Sequence, residues 1–321
     1  MREYPYNLEE APNLPRTKDY FRWADYIELL CLSSQDGEFS YRDLEPYINQ
    51  KLELVREGND DDSHQRAFKG LEWGQRINDF FRILRYRQQC INNIYPFKLN
   101  KGNLLSLEKP FSLGNYFYVY LLFSSNLSYF NQYQYTFTSC FEEVAKHVVK
   151  KLLPPGAEVH IFGTARGESR YNGDLYSRIC QLGQDIRVEV ICKQENFQNI
   201  RGGDAGLDVV AWVPISDNAS GIPVYFSQCA CTVDKWKDKQ HSVGLATWGN
   251  RFRWISPYTP MTVVPFSYRA ASGLWENDDS IANMLMIDRD RIIILLNNDY
   301  QFFCDFEAYE QVKSLIDKIR K

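Results

Sequence analysis

The hydrophobic pattern of the first part of the chain is helical. Apolar side chains recur at helical spacing over residues 19–33, a second helix begins after Ser40, and a third covers residues 64–92. Residues 115–130 are dense in Tyr, Phe and Leu, a pattern that fits a buried strand and a buried helix equally well. We therefore predict that residues 1–135 form a mostly helical N-terminal domain.

The pattern changes in the second part of the chain. An amphipathic helix over Phe141–Leu152 stops at a Pro-Pro-Gly sequence. Short apolar runs over residues 159–163 and 262–266 are separated by further helical stretches, and residues 306–321 form a final amphipathic helix. Strands separated by helices predict an α/β domain over residues 136–321.

Two strand-like runs, residues 203–212 and 224–231, lie in the middle of this domain and are joined by a polar turn. Alternate residues of a strand share a face, so Asp208 is expected on the same face as Val210. A hairpin between the two runs then brings Gln228 opposite Asp208. A carboxylate and an amide are thereby predicted at one end of a strand pair.

A second carboxylate is available from the preceding helix. Glu142 neighbours Ala145 and Val149 at the edge of the apolar face, whereas Glu143 lies beside Lys146 on the solvent face. A catalytic acid has to point toward the sheet, so we choose Glu142 as the candidate.

This combination of side chains suits hydrolysis of a phosphodiester bond with Mg²⁺. Carboxylate and amide oxygens hold such a hard cation, and a lysine commonly orients the attacking water or neutralises the developing charge. The candidate metal ligands are Glu142, Asp208 and Gln228. The chain has neither a P-loop nor a Gly-x-Ser-x-Gly sequence, which argues against nucleotide hydrolysis and against a serine hydrolase.

These short motifs resemble those of a known family. Phe-Glu at 141–142, Gly-Asp-x-Gly-x-Asp at 203–208 and Gln228 resemble the Mrr-like branch of the PD-(D/E)XK restriction-endonuclease superfamily. The resemblance covers residues 138–245. It implies a restriction-endonuclease-like core, a mixed central sheet flanked by helices. It also implies a DNA endonuclease that uses Mg²⁺ or Mn²⁺ and acts as the effector subunit of a bacterial anti-phage or restriction system.

The resemblance further implies a lysine at position 230, where this chain has Ala230. Lys235 is the nearest replacement and Lys237 the next, because a lysine side chain reaches about 6 Å from its backbone. We therefore predict Lys235 as the fourth catalytic residue. The alternative is a catalytically degenerate nuclease fold that binds nucleic acid or serves as a scaffold in a defence complex.

Composition limits the partners. The formal net charge is −4, so nucleic acid would have to be bound by a local surface. The eight cysteines contain no C-x-x-C pair, and Cys229-x-Cys231 lacks two further zinc ligands at finger-like spacing, so we expect reduced thiols. No apolar run is long enough to span a bilayer. We expect a cytoplasmic protein without membrane contact that binds DNA or RNA, joins a protein partner from the same defence operon and can form homo-oligomers.

Three arginines near the end of the third helix leave two interpretations open. Arg82, Arg85 and Arg87 can contact nucleic-acid phosphates, or they can form an ordinary solvated helix face. Spacing alone does not separate these alternatives.

Overall fold

The structure is a computed structural model of the chain. It describes residues 8, 10–13, 19–56, 63–91, 93–163, 170–197 and 205–320. Gly203 and Asp204, which contribute to the family resemblance, lie outside the described residues.

Helices and strands are numbered in chain order within these described ranges. The helices are α1 (Tyr20–Ser33), α2 (Tyr41–Arg56), α3 (Ser63–Cys90), α4 (Leu113–Ser125), α5 (Gln134–Leu152), α6 (Leu175–Asp185), α7 (Trp236–Lys239), α8 (Leu245–Trp248), α9 (Arg289–Leu296) and α10 (Glu307–Ile319). The strands are β1 (Glu38–Ser40), β2 (Phe97–Asn100), β3 (Leu104–Leu107), β4 (Glu158–Ile161), β5 (Glu189–Val190), β6 (Val209–Trp212), β7 (Val224–Cys229), β8 (Phe252–Arg253), β9 (Thr259–Val263) and β10 (Leu285–Ile287). A short 3₁₀-helix, Gln240–Val243, separates α7 from α8.

The chain divides into two compact units. The first comprises residues 1–133, 266–278 and 300–321, and the second comprises residues 134–265 and 279–299. The sequence analysis placed a boundary at 135/136, and the first division between the units is at 133/134. Helix α10, predicted to follow the second domain, is grouped with the N-terminal residues.

The first unit combines helices with a small antiparallel sheet of strand order β1-β3-β2. The segment for which the sequence allowed a strand or a helix forms α4, which is buried along most of its length. Its N-terminus carries a capping box. The Ser112 hydroxyl accepts the Asn115 N–H, and the Asn115 side chain accepts the N–H of Ser112. This reciprocal cap satisfies backbone donors that a strand would have paired with a neighbouring strand.

Arg87 lies inside the first unit and is fully buried. Its Nη1 lies 2.7 Å from the carboxylates of both Asp25 and Glu28, which are 2% and 0% exposed. Neither interpretation of this arginine from the sequence is therefore correct. Arg82, by contrast, is exposed and pairs with Asp79 one turn away. Two arginines of α3 that the sequence does not distinguish, Arg82 and Arg87, thus differ in burial.

The second unit is built on a five-stranded mixed sheet of strand order β10-β9-β7-β6-β4. Strands β4, β6 and β7 pair antiparallel, whereas β7, β9 and β10 pair parallel. The predicted hairpin is the β6–β7 pair, in which Val209 lies opposite Ser227 and Trp212 opposite Val224. The predicted α/β class with a mixed central sheet flanked by helices is confirmed.

Helices cover both faces of this sheet. On one face, Ile179 and Leu182 of α6 join Val210 and Phe226 in a single apolar cluster. Helix α5 contacts β4, β6 and β7 and brings to them buried residues that do not belong to that cluster, including Val148. The β6–β7 pair is therefore held between α6 and α5, which fixes the position of the strand ends.

Two further expectations can be compared with the structure. No helix in the described ranges is both long and apolar enough to cross a membrane. All eight cysteines are described, and all are free thiols.

Candidate functional site

Asp208 lies at an irregularity where the chain enters β6. Val209 is paired with Ser227, yet the backbone N–H of Asp208 also donates to the Ser227 carbonyl at 3.0 Å. Two successive residues therefore lie opposite one, the arrangement of a β-bulge, which redirects a side chain. Leu207 packs in the same apolar cluster as Val210, three positions away, which strict alternation does not allow. Asp208 thus departs from the alternation that placed it on the Val210 face.

Asp208 and Gln228 bind the backbone of the same residue. Oδ2 of Asp208 accepts the Cys229 N–H at 2.5 Å, and Nε2 of Gln228 donates to the Cys229 carbonyl at 2.5 Å. The two side chains are only 8% and 4% exposed. Gln228 uses its nitrogen in this bond. Its Oε1 is buried and has no hydrogen-bond partner among the described residues. The structure brings these two predicted site residues to the same end of β7.

Glu142 lies on α5, and its charge acts on the Cys229 thiol at this strand end. It is half-buried, and α5 contacts both β6 and β7. Its neighbour Glu143, also half-buried, forms an ion pair with Lys146 at 3.4 Å. The choice of Glu142 over Glu143 from the helical pattern stays a prediction.

The pKa values of the Cys229 and Cys231 thiols are shifted by burial and by nearby charges. Burial raises the pKa of Cys229 well above its usual value, and the carboxylates of Asp208 and Glu142 raise it further. Burial likewise raises the pKa of Cys231, where the same two carboxylates act in the same direction and Lys239 opposes them. Both thiols therefore stay protonated at neutral pH. The charges of the two carboxylates and of Lys239 therefore act on the same pair of thiols.

Lys235, the lysine predicted from the sequence as catalytic, precedes α7. Its side chain is exposed and makes no hydrogen bond or ion pair among the described residues, so its catalytic role stays a prediction. Lys237 lies over the ring of Trp236 at 5.9 Å. Lys239, one helical turn beyond Lys235, is the lysine whose charge acts on the thiols beside the carboxylates.

Position 230 is closed to a lysine. Ala230 is fully buried, and its N–H donates to the Val263 carbonyl at 3.0 Å, which continues the pairing of β7 with β9. A lysine at this position would have to bury its ammonium or displace its neighbours, and an unpaired buried charge is costly. The residue that departs from the family pattern is thus part of the core.

The donor set fits a hard cation better than a soft one. Among the residues that the structure describes, no group of three or more His, Cys, Asp or Glu side chains could hold a metal ion by itself. Asp208 and Gln228 bind the backbone at the end of β7, the charge of Glu142 acts on the Cys229 thiol there, and among the described residues the buried Oε1 of Gln228 has no hydrogen-bond partner. Mg²⁺ commonly takes one or two carboxylates and keeps several waters, so this set suits it. The protonated thiols nearby do not favour zinc.

Several residues around the site were not selected from the sequence. Lys239 is the last residue of the basic run 235–239, and helical spacing would have placed it on the same face as Lys235. Ser242 lies 3.0 Å from the Gly206 carbonyl oxygen, a contact between distant parts of the chain that no local pattern signals.

Comparisons of the chain with protein-family models, with curated proteins and with solved structures find no match.

Proposed function

We propose that the protein is a Mg²⁺-dependent DNA endonuclease that serves as the effector subunit of a bacterial anti-phage or restriction system. The observation that carries this proposal is the meeting of Asp208 and Gln228 at Cys229, with Glu142 of α5 acting on the same thiol. A buried carboxylate and a buried amide at one strand end, with a third group from a helix, is a donor arrangement that serves phosphodiester hydrolysis.

The order of elements supports the same proposal. Phe141-Glu142 lies on a helix, Asp208 enters a strand, and Gln228 lies on the next strand, paired antiparallel with the first. This is the order of motifs in the Mrr-like branch of the PD-(D/E)XK superfamily. We therefore propose a restriction-endonuclease-like core for the second unit.

Each residue has a defined part in this proposal. Asp208 and Glu142 would supply carboxylate oxygens to Mg²⁺, and Gln228 would supply its otherwise unpartnered Oε1. When bound, the cation neutralises charge that develops on the phosphate and lowers the pKa of water. The Cys229 N–H orients the Asp208 carboxylate before any ligand arrives, which reduces the reorganisation needed during reaction.

A second candidate function is supported by Ala230. Since this position is buried, the lysine of the family pattern has no place there, and a degenerate nuclease fold could still bind nucleic acid or act as a scaffold. In either case we propose action in the cytoplasm with a protein partner encoded in the same operon. The two functions differ in whether the carboxylates are required.

Plasmid cleavage in Mg²⁺ or Mn²⁺ tests the proposal. Asp208→Asn and Glu142→Gln should abolish cleavage, whereas Glu143→Gln, one position along α5, should leave it within about twofold because a solvated surface pair contributes little. If the wild type and Asp208→Asn are equally inert with the operon partner present, the endonuclease proposal fails. Retained phage protection by Asp208→Asn in cells would favour the second function.

A further inference from the structure

The segment that carries Lys239 is fixed against the turn that leads to Asp208. Oγ of Ser242 lies 2.8 Å from the Lys239 carbonyl oxygen and 3.0 Å from that of Gly206, two residues before Asp208. A Cβ at Gly206 would lie 2.4 Å from Cβ of Ser242, so the Ser242 side chain packs against the backbone of Gly206 as closely as a glycine permits. Lys239 and Asp208 are therefore on segments joined by direct contact.

The buried side chain of Gln240 anchors the segment that carries Lys239 by hydrogen bonds to the backbone. Gln240 is 2% exposed, and its Nε2 donates to the carbonyls of Lys237 at 3.0 Å and Ser280 at 2.8 Å. Its Oε1 accepts the N–H of Ala282 at 2.9 Å. The backbone of Lys239 is thus fixed although its side chain is exposed, because the next residue is anchored in the interior.

Of Lys235, Lys237 and Lys239, Lys239 is the best placed to bind an anion beside the site. Lys237 already lies over the ring of Trp236. The side chain of Lys239 makes no hydrogen bond or ion pair in the described part of the chain, and its charge acts on Cys231 together with those of the site carboxylates. Lys235 lies four residues earlier in the chain, and it is the carbonyl of Lys239 that the Ser242 hydroxyl binds. An exposed ammonium thus lies on a segment that directly contacts the turn before Asp208.

We infer that Lys239, rather than Lys235, supplies the ammonium group that binds a nucleic-acid phosphate beside Glu142 and Asp208. The inference rests on the proposed function, and it covers both cleavage and binding alone. Two carboxylates repel a phosphodiester, so a site built on Glu142 and Asp208 needs fixed positive charge besides the cation. An ammonium on a flexible stem, attached to an anchored backbone, provides that charge without burial.

Binding to a short fluorescein-labelled DNA duplex, with Ca²⁺ replacing Mg²⁺, tests this inference directly. Lys239→Ala should weaken binding about tenfold, as expected for loss of a charge-assisted hydrogen bond. It should also lower the slope of log affinity against log salt by about one, whereas Lys239→Arg should keep the slope. Lys235→Ala is the matched control and should change affinity by less than about twofold.

Plasmid cleavage separates failure of this inference from failure of the proposed function. Lys239→Ala should slow cleavage about 100-fold, the typical loss of one electrostatic contact to a transition state. If it binds and cuts like the wild type while Asp208→Asn does not cut, the assignment of Lys239 is overturned and the endonuclease stands. If the wild type binds without cutting and Lys239→Ala binds less, Lys239 is supported within the binding function. If the wild type neither binds nor cuts, both proposals fall.

Discussion

The Asp208 carboxylate accepts the backbone N–H of Cys229 at 2.5 Å, so a side chain from the start of β6 completes the backbone pairing of the end of β7. The strand pair would otherwise leave this donor without a partner, because the bulge at Asp208 takes the chain out of register. One carboxylate therefore serves both the fold and the candidate site.

Asp208→Ala should lower the free energy of unfolding by about 1–3 kcal/mol, the usual cost of leaving a buried donor without its acceptor. Asp208→Asn should cost less, because an amide oxygen can still accept the Cys229 N–H. Urea unfolding followed by circular dichroism measures both. Equal losses for the two variants would show that this hydrogen bond does not stabilise the strand end.

Gly206→Ala should destabilise the second unit more than an alanine at an open glycine does. The backbone φ of Gly206 is +76°, and an added Cβ would lie 2.4 Å from Cβ of Ser242. Gly156 has φ +90° with no atom within 4 Å of an added Cβ, so Gly156→Ala should cost only the left-handed conformation, about 1–2 kcal/mol.

Overpacking should add about 1–3 kcal/mol at Gly206. The double variant Gly206→Ala/Ser242→Gly should recover that added part, since it removes the atoms that clash. Thermal unfolding compares the variants. Failure of the second substitution to rescue the first would contradict the close approach of the two segments.

Arg87→Ala should destabilise the first unit by about 3–5 kcal/mol, because it removes the guanidinium that lies 2.7 Å from the buried carboxylates of Asp25 and Glu28. Tyr118 Oη lies 2.9 Å from Glu28 Oε2 but brings no positive charge. Arg82→Ala, on the exposed face of the same helix, should change stability by less than about 0.5 kcal/mol. Guanidinium unfolding of both variants measures the contrast, and similar losses would contradict the burial of Arg87.

His160 should make stability depend on pH. Burial lowers its pKa below the ordinary value of 6.5, although a hydrogen bond to Glu158 partly opposes the shift. The unfolded chain then takes up a proton that the folded chain resists, so this contribution to stability is present at neutral pH and decreases as the pH falls through 6.5.

His160→Phe keeps a ring that can stack on Trp212, where the two ring centroids are 5.2 Å apart, but removes the titration. Its free energy of unfolding should therefore change less between pH 7.5 and pH 5.5 than that of the wild type, where both values are about one unit from the ordinary histidine pKa. If the free energies of unfolding of the two proteins changed equally with pH, the pKa of His160 would not be lowered in the folded protein.

The amphipathic helices could be predicted from the sequence because one face of each is buried. Periodicity indicated α1 and α10 close to their observed bounds, and it gave the end of α5 but not its start, which lies at Gln134 rather than Phe141. It did not decide α4, because a helix buried on most sides has no polar face to reveal its period. Arg87 shows a second limit, since burial of a charge depends on partners that are distant in sequence.

The residue types of the candidate site could be predicted, but not their full geometry. Alternation on two strands and a helical wheel led to Glu142, Asp208 and Gln228, and the structure brings Asp208 and Gln228 to the same end of β7. The bulge at Asp208 was not predictable, because strict alternation assumes an unbroken strand pair. The position of Lys239 depends on the contact of Ser242 with Gly206, which no local pattern encodes.

The chain passes between its two compact units at residues 133/134, 265/266, 278/279 and 299/300. A protease that cuts at one of these places would leave three covalent connections, so neither unit would be released. Truncation after residue 133 would remove α10 from the unit to which it belongs. The two units are therefore better dissected genetically by point substitutions than by expressing fragments.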